Sequence, residues 1–378
     1  MNKKSPIANK APVSYIGNER QYNPKHKRRS LPEAMPVSTP YLVNIDPANL
    51  CNLKCQFCPT GHPDLLKKFS RPLGMMDYDL FTKIIDDLTK FPEKIKVMLL
   101  HKDGEPMLNP RLADMLKYAK EKDVAEVIWL TTNMTLLTPE LAEAIVDSGV
   151  DYIRVSVIHV SDEGYKDIAL TWSDYEKVRA NTEMLYELKN RKGSQMQIWA
   201  KLNNFGRSPE EIAKFDRDFK NISDDIMLAN PMGWTYGQEY DFKLGVKNDL
   251  GQEGDVPLKK NRVVCPYPFY RMVVNFNGEV SVCELDWTMT MVAGNARDES
   301  MWDIWNGEKY HAYRLMMLEG KRWSQPACKE CSCVTYMPVE NDMDDHKDRL
   351  LKLYNRLGPD APAKAWAMRK EGTWAESE

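Results

Sequence analysis

Residues 44–59 read NIDPANLCNLKCQFCP, a stretch in which Cys51, Cys55 and Cys58 place three thiols within eight residues. The preceding run, Tyr41–Asp46, is rich in β-branched and aromatic residues and reads as a strand, so the cysteines lie in the loop that leaves it. Soft sulfur ligands at this density suit an iron–sulfur cluster or zinc. A structural zinc site needs a fourth Cys or His close by. His62 is the nearby candidate, and C-x3-C-x2-C is not a zinc-finger spacing. On a four-iron cluster, three protein ligands leave one iron open.

Beyond this loop, helix and strand patterns alternate, as expected for a parallel sheet. Helices are expected over Tyr78–Phe91, with Phe81, Ile84, Ile85 and Leu88 inward, and over Arg111–Glu121, with Leu112, Met115, Leu116 and Ala119 inward. Thr138, Pro139 and Gly149 supply the cap, first position and end of another. Ser173 with Glu176, and Ser208 with Glu211, have capping-box spacing. Strands are expected at Lys96–His101, Val127–Thr132, Tyr152–Val157, Met196–Leu202 and Ile226–Asn230. Six β/α units are fewer than the eight of a closed barrel. The fold class is therefore α/β: a partial (β/α)6 barrel followed by a small C-terminal α+β domain. The expected division is a basic arm at 1–38, the partial barrel at 39–240, a linker at 241–262, the small domain at 263–338 and a helical tail at 339–378. The arm holds eight Lys or Arg against one acid, Glu19, up to Ser30.

The cysteine spacing after a first strand, with the aromatic Phe57 before the third cysteine, resembles the signature of the radical S-adenosylmethionine (SAM) superfamily. The resemblance covers Tyr41 to Pro338. It implies a 4Fe–4S cluster on Cys51, Cys55 and Cys58 whose open iron chelates SAM, and reductive cleavage of SAM to a 5′-deoxyadenosyl radical. Asp103-Gly104-Glu105-Pro106, after the second strand, is similar to the family's Gly-Gly-Glu-Pro motif, which binds the SAM amino group; Asp103 replaces its first glycine. Thr132-Asn133-Met134 stands where the family often has Thr-Asn-Gly, making Asn133 a candidate SAM contact. Ser156 resembles a serine that contacts the SAM ribose or carboxylate. Strand alternation puts Arg154 on the face of Ser156, hence into the lumen, as a catalytic or substrate-binding residue or else half of a buried ion pair. Lys201 is a similar case on the fifth strand.

The other five cysteines are Cys265, Cys283, Cys328, Cys331 and Cys333. Asn277-Gly278 between two short apolar runs, Met272–Phe276 and Val280–Cys283, reads as a hairpin turn that brings Cys265 and Cys283 together. Cys328 and Cys331 then complete a four-sulfur site. This segment resembles the SPASM and twitch domains of radical SAM enzymes, which implies one auxiliary 4Fe–4S cluster, with zinc as the structural alternative. Five cysteines are fewer than the seven of a full SPASM domain. Cys333 is the one left over, as an inert thiol or as a hydrogen-atom donor to a substrate radical.

The composition is 43% hydrophobic and 28% charged with a net charge of −3, which argues against nucleic-acid binding. There is no bilayer-length apolar stretch and no secretory signal in the first residues, so a cytoplasmic location without membrane contact is expected. The resemblance implies a flavodoxin- or ferredoxin-type electron donor. It leaves the substrate open between a small polar, carbohydrate-like or amino-alcohol metabolite undergoing dehydrogenation and a peptide undergoing crosslinking or epimerisation; a non-catalytic Fe–S or zinc protein is the third reading. No leader-peptide-binding domain is evident before Tyr41, which favours the small molecule. Trp234, Tyr236, Glu284 and Asp286 are candidate substrate contacts at the barrel mouth.

Overall fold

The computed structural model describes residues 30–171, 175–236, 240–251, 257–329 and 331–374. Most of the basic arm and the Ser173 cap lie outside them. Nine strands form one open sheet: β1 (Leu42–Ile45), β2 (Ile95–Leu99), β3 (Ala125–Thr132), β4 (Tyr152–Val157), β5 (Gln197–Asn203), β6 (Asp225–Ala229), β7 (Arg271–Val274), β8 (Glu279–Ser281) and β9 (Val292–Asn295). Their order is β6-β5-β4-β3-β2-β1-β7-β8-β9. β1 to β6 are parallel neighbours, as the alternating pattern requires. The fold is thus an open, partial barrel of six parallel strands with helices between them and a C-terminal extension; among the described residues no barrel helix follows β6, so the sixth expected β/α unit is a strand alone.

The helices cover the outer face. All eight apolar residues expected inward on the first two long helices are buried. Thr138 caps the Pro139–Ser148 helix through the Leu141 amide, and Gly149 ends it at φ 76°. Ser208 and Glu211 form a reciprocal capping box. On β4 the outward Ile153, Val155 and Val157 are buried against the helices, which leaves Arg154 and Ser156 on the lumen face.

After residue 262 the structure adds a pairing that the sequence reading did not include. The two strands expected to open the small C-terminal domain also continue the barrel sheet. β7 lies parallel to β1, with Leu42 opposite Arg271 and Ile45 opposite Val274. β8 returns antiparallel through the turn at Gly278, whose φ is 92°. A further strand, β9, was not expected. The charged tail is two packed helices, Lys347–Leu357 and Ala361–Lys370. Residues 30–38, the described end of the arm, lie against them: Arg369 donates to the carbonyls of Ala34, Met35 and Pro36, and Leu31, Met35 and Val37 are buried. Among the described residues, no helix is long and apolar enough to cross a membrane.

Candidate functional site

The loop leaving β1 is fixed at both ends. The Asp46 amide donates to the Val274 carbonyl of β7, and the amides of Lys54 and Gln56 donate to the carbonyls of Ala169 and Ile168 at 2.9 Å each. The Cys58 amide donates back to the Cys55 carbonyl at 3.1 Å. Gly61 packs so closely on this turn that a Cβ there would strike the Cys55 carbonyl oxygen. Burial raises the pKa of all three thiols, Cys51 to about 12, and their mutual charge adds to the effect at Cys51 and Cys55. Three converging thiols that resist ionisation in the bare protein become stable thiolates when iron supplies the positive charge, so the donor set fits the cluster. His62 does not join them. Its Nε2 lies 2.8 Å from the Gln56 carbonyl oxygen and its ring packs against Phe242.

The turn after β2 presses against this loop. A Cβ on Gly104 would collide with the carbonyl oxygens of Ala48 and Leu50, and the Glu105 amide donates to the Leu50 carbonyl at 2.8 Å. The Glu105 carboxylate, 2% exposed, accepts from Thr132 Oγ1 (2.7 Å), the Asn133 amide (2.7 Å) and the Met107 amide (3.0 Å). Three of the roughly four acceptor positions of a carboxylate are therefore taken by the chain itself. That makes Glu105 foremost a brace between two strand ends. Pro106 opens the short 3₁₀ turn that follows it. Asn133 is drawn to the cluster loop: its Nδ2 donates to Asn52 Oδ1 at 2.9 Å and points at Cys51 Sγ, 4.0 Å away.

The substitution of Asp103 for glycine comes with partners the sequence reading missed. Its side chain is 2% exposed and pairs with Lys102 and with Arg71 Nη2 at 3.4 Å. Lys102 also reaches the Asp286 carbonyl at 3.1 Å, across to the C-terminal extension. Asp46 faces the same group, and burial together with the Asp103 charge lifts its pKa to about 7. Arg71 lies in a loop with no periodicity, so no pattern in the sequence marks it.

Inside the lumen, Arg154 is buried with its guanidinium 5.6 Å over the Trp129 ring. It shares a cavity of ≈ 270 Å³ with Trp199, Lys201, Asp225 and Met227. Ser156 stands opposite Lys201 in the β4–β5 register. His101, a lumen residue not singled out by the sequence, has Nε2 3.2 Å from Thr131 Oγ1; burial and the charges of Arg154 and Arg271 push its pKa well down.

All five later cysteines line one internal space of ≈ 400 Å³. Cys265, Cys283, Cys328 and Cys331 are mutually close enough that each pair contributes to the upward pKa shift of at least one member. Among the described residues, no three His, Cys, Asp or Glu side chains meet tightly enough to hold a single ion; these sulfurs ring a volume instead, and the four fit a cluster. Cys333 sits to one side, its Sγ 3.7 Å from the Tyr267 hydroxyl. That hydroxyl donates to Glu284 Oε1 at 2.9 Å. Glu284 also pairs with Arg271 and accepts from Asn44 Nδ2 at 3.5 Å. A polar chain thus leads from the second cysteine site to the lumen. The remaining mouth candidates are otherwise engaged: Trp234 Nε1 donates to the Phe57 carbonyl, Tyr236 packs on Phe69 and Trp287, and the buried Asp286 carboxylate accepts from Thr288, Thr290 and the Met291 amide.

Comparison with known proteins follows this geometry. The radical SAM superfamily matches residues 45–214, and an iron–sulfur cluster-binding domain, SPASM, matches residues 265–332. The tungsten-containing aldehyde ferredoxin oxidoreductase cofactor-modifying protein of Pyrococcus furiosus is 27% identical, with 75% of this chain and 84% of the relative covered. The S-adenosyl-L-methionine-dependent 2-deoxy-scyllo-inosamine dehydrogenase of Niallia circulans is 20% identical, with 79% and 95% covered. Streptococcus suis SuiB, solved with its precursor peptide SuiA, shares the fold at a TM-score of 0.57 and 15% identity, over 85% of this chain and 80% of that one.

Proposed function

From a chain that belongs to the radical SAM superfamily and carries an SPASM-type cluster-binding domain, we infer a dehydrogenase of a small polar metabolite, carbohydrate-like or amino-alcohol in character. The class itself is settled: this is a radical SAM enzyme using 4Fe–4S clusters and SAM. The observation that carries the finer reading is the second cysteine site. Cys265, Cys283, Cys328 and Cys331 line one space; as four ligands of one cluster they would leave no position for substrate on it and leave it able to take an electron. The Niallia circulans relative is named as a dehydrogenase, which is consistent with this reading.

When bound, the two clusters supply the electron that cleaves SAM and an acceptor for the electron the substrate gives up. Cys51, Cys55 and Cys58 hold the first. Gly104, Glu105 and Asn133 position its loop and the SAM amino acid, with Ser156 toward the ribose. Arg154 and Lys201, set among Trp129 and Trp199, grip the polar substrate and shield the lumen from water. Oxidation of the substrate would release one hydrogen atom to 5′-deoxyadenosine, one proton and one electron, and Cys265, Cys283, Cys328 and Cys331 would hold the group able to accept that electron. The hydroxyl proton passes to Glu284, which touches the lumen through Asn44 and directly follows Cys283. A flavodoxin- or ferredoxin-type protein serves as the external electron donor.

The test is isotopic. Candidate polyols, amino-cyclitols and a model peptide, each deuterated at carbon, are incubated with enzyme, SAM and reductant. Deuterium entering 5′-deoxyadenosine from a small polyol or amino alcohol, with a product two electrons more oxidised, supports the reading. Transfer from the peptide alone would replace it with a peptide-modifying activity.

A further inference from the structure

Arg322 enters the auxiliary cysteine cavity from a turn that the sequence makes unavoidable. The Glu308–Leu318 helix ends at Gly320, whose φ of 70° reverses the chain while the Lys321 amide closes on the Met316 carbonyl at 2.9 Å. The next residue is thrown inward. Arg322 is 3% exposed and lines the same space as the five cysteines. Its Nη1 donates to the Cys328 carbonyl at 3.2 Å and its Nη2 to the Arg262 carbonyl at 3.4 Å. Its Nε is buried without a hydrogen-bond partner. No carboxylate pairs with it among the described residues. This distinguishes it from Arg262, the other buried guanidinium here, whose Nη2 lies 3.6 Å from Asp342. The half-exposed Trp323 ring covers Arg322 from outside, with its centroid 3.5 Å from the guanidinium carbon.

Among the described residues, both hydrogen-bond partners of Arg322 are neutral carbonyls, so its full positive charge remains beside the largely buried cysteine ligands. An electron added to a cluster here places further negative charge in a low-dielectric interior, and an unneutralised cation at that range favours it strongly. Two carboxylates among the described residues oppose this: Glu284, which faces Cys333 but is paired with Arg271, and Asp286, which faces Cys283 and Cys328. The Asp286 charge is partly absorbed by the two hydroxyls and the amide it accepts from.

We propose that Arg322 is a positioning residue for electron acceptance, an uncompensated buried cation that raises the reduction potential of the cluster on Cys265, Cys283, Cys328 and Cys331. This rests on the reading of that cluster as the acceptor of the substrate's electron. The step balances as one electron into the cluster for each substrate radical that releases a proton, and Arg322 itself neither gains nor loses a proton.

The test is a redox titration followed by electron paramagnetic resonance on the full chain. Cys51, Cys55 and Cys58 are replaced by Ala so that the auxiliary signal stands alone. In Arg322→Gln, which keeps a donor but loses the charge, the ratio of reduced to oxidised cluster at a fixed solution potential falls about tenfold or more. Arg322→Lys, which keeps the charge, stays close to the parent. Trp323→Ala, at an exposed position that leaves the fold intact, lets water reach the guanidinium and shifts the ratio in the same direction by less. An iron-replete Gln variant with an unchanged ratio overturns the proposal; if that variant fails to hold iron, an unchanged ratio in Trp323→Ala overturns it. Neither outcome touches the dehydrogenase reading, which falls separately if the unaltered protein carries no auxiliary cluster.

Discussion

The carboxylate of Glu105 accepts the backbone N–H of Asn133 at 2.7 Å, joining the turn after β2 to the turn after β3 directly beneath the cluster loop. With the Thr132 hydroxyl and the Met107 amide bound to the same side chain, removing it strands three buried donors. Each such donor costs on the order of 1–3 kcal/mol. Glu105→Ala is expected to lose about 3 kcal/mol of stability and to weaken SAM binding, while Glu105→Gln loses less. Denaturant midpoints and equilibrium SAM binding measure both; an Ala variant with the parent's midpoint contradicts the bracing role.

Gly104 admits no side chain. A Cβ would meet the main-chain oxygens of Ala48 and Leu50, which cannot rotate away. Gly104→Ala should displace the cysteine loop while sparing the distant second site. Iron content then falls by about half, to about four atoms per chain. Full iron content in this variant would show that the loop tolerates the shift.

Asp46 makes stability depend on pH in a defined sense. Its pKa rises from 3.8 unfolded to about 7 folded, mainly through burial and secondarily through the Asp103 charge, while Lys102, Arg71 and the Ala48 amide pull it back. Between about pH 4 and pH 7 the folded chain therefore holds a proton that the unfolded chain has released. The unfolded state binds fewer protons, so stability declines as pH rises across that window and levels off above it. Asp46→Asn removes the effect. Its stability relative to the parent should climb from pH 4 to pH 7, by an amount on the order of a few kcal/mol, and stay level to pH 9. Parallel pH–stability curves for the two proteins would contradict this.

Met134 occupies the left-handed region at φ 65° with its side chain fully buried. The family's usual glycine is gone, yet the backbone keeps the shape that glycine favours. Two costs separate in the variants. Met134→Ala loses buried packing and keeps the strain; Met134→Gly loses the packing and relieves about 1 kcal/mol of strain. Thermal unfolding should place Gly above Ala, with both below the parent. The reverse order would mean that the turn carries no strain.

How far this fold could be read from sequence depended on whether the signal was local. The cysteine loop leaving the first strand, the six parallel strands, the cap at Thr138 and the inward face of Arg154 all follow from spacing within a few residues, and each is found as expected. The parallel pairing of β7 with β1 joins residues more than two hundred positions apart through four-residue strands, and no periodicity announces it. The same holds for Arg71 beside Asp103, for His101 beside Thr131 and for Tyr267 between Cys333 and Glu284. Each is one residue in a short, non-repeating segment that acquires meaning only when the sheet brings two distant loops together. Asp103 was visible as a departure from a motif, but the cations that make it tolerable were not.

The central claim is that two iron–sulfur sites of different purpose share this chain, and that Cys51, Cys55 and Cys58 hold the one that cleaves SAM. Iron analysis and 5′-deoxyadenosine formation, measured together on anaerobically reconstituted protein, test it most directly. The unaltered chain should carry about eight irons and release 5′-deoxyadenosine on reduction, whereas the chain with those three cysteines changed to Ala should keep about four irons and release none. Zinc in place of iron, or undiminished 5′-deoxyadenosine from the triple variant, would contradict it.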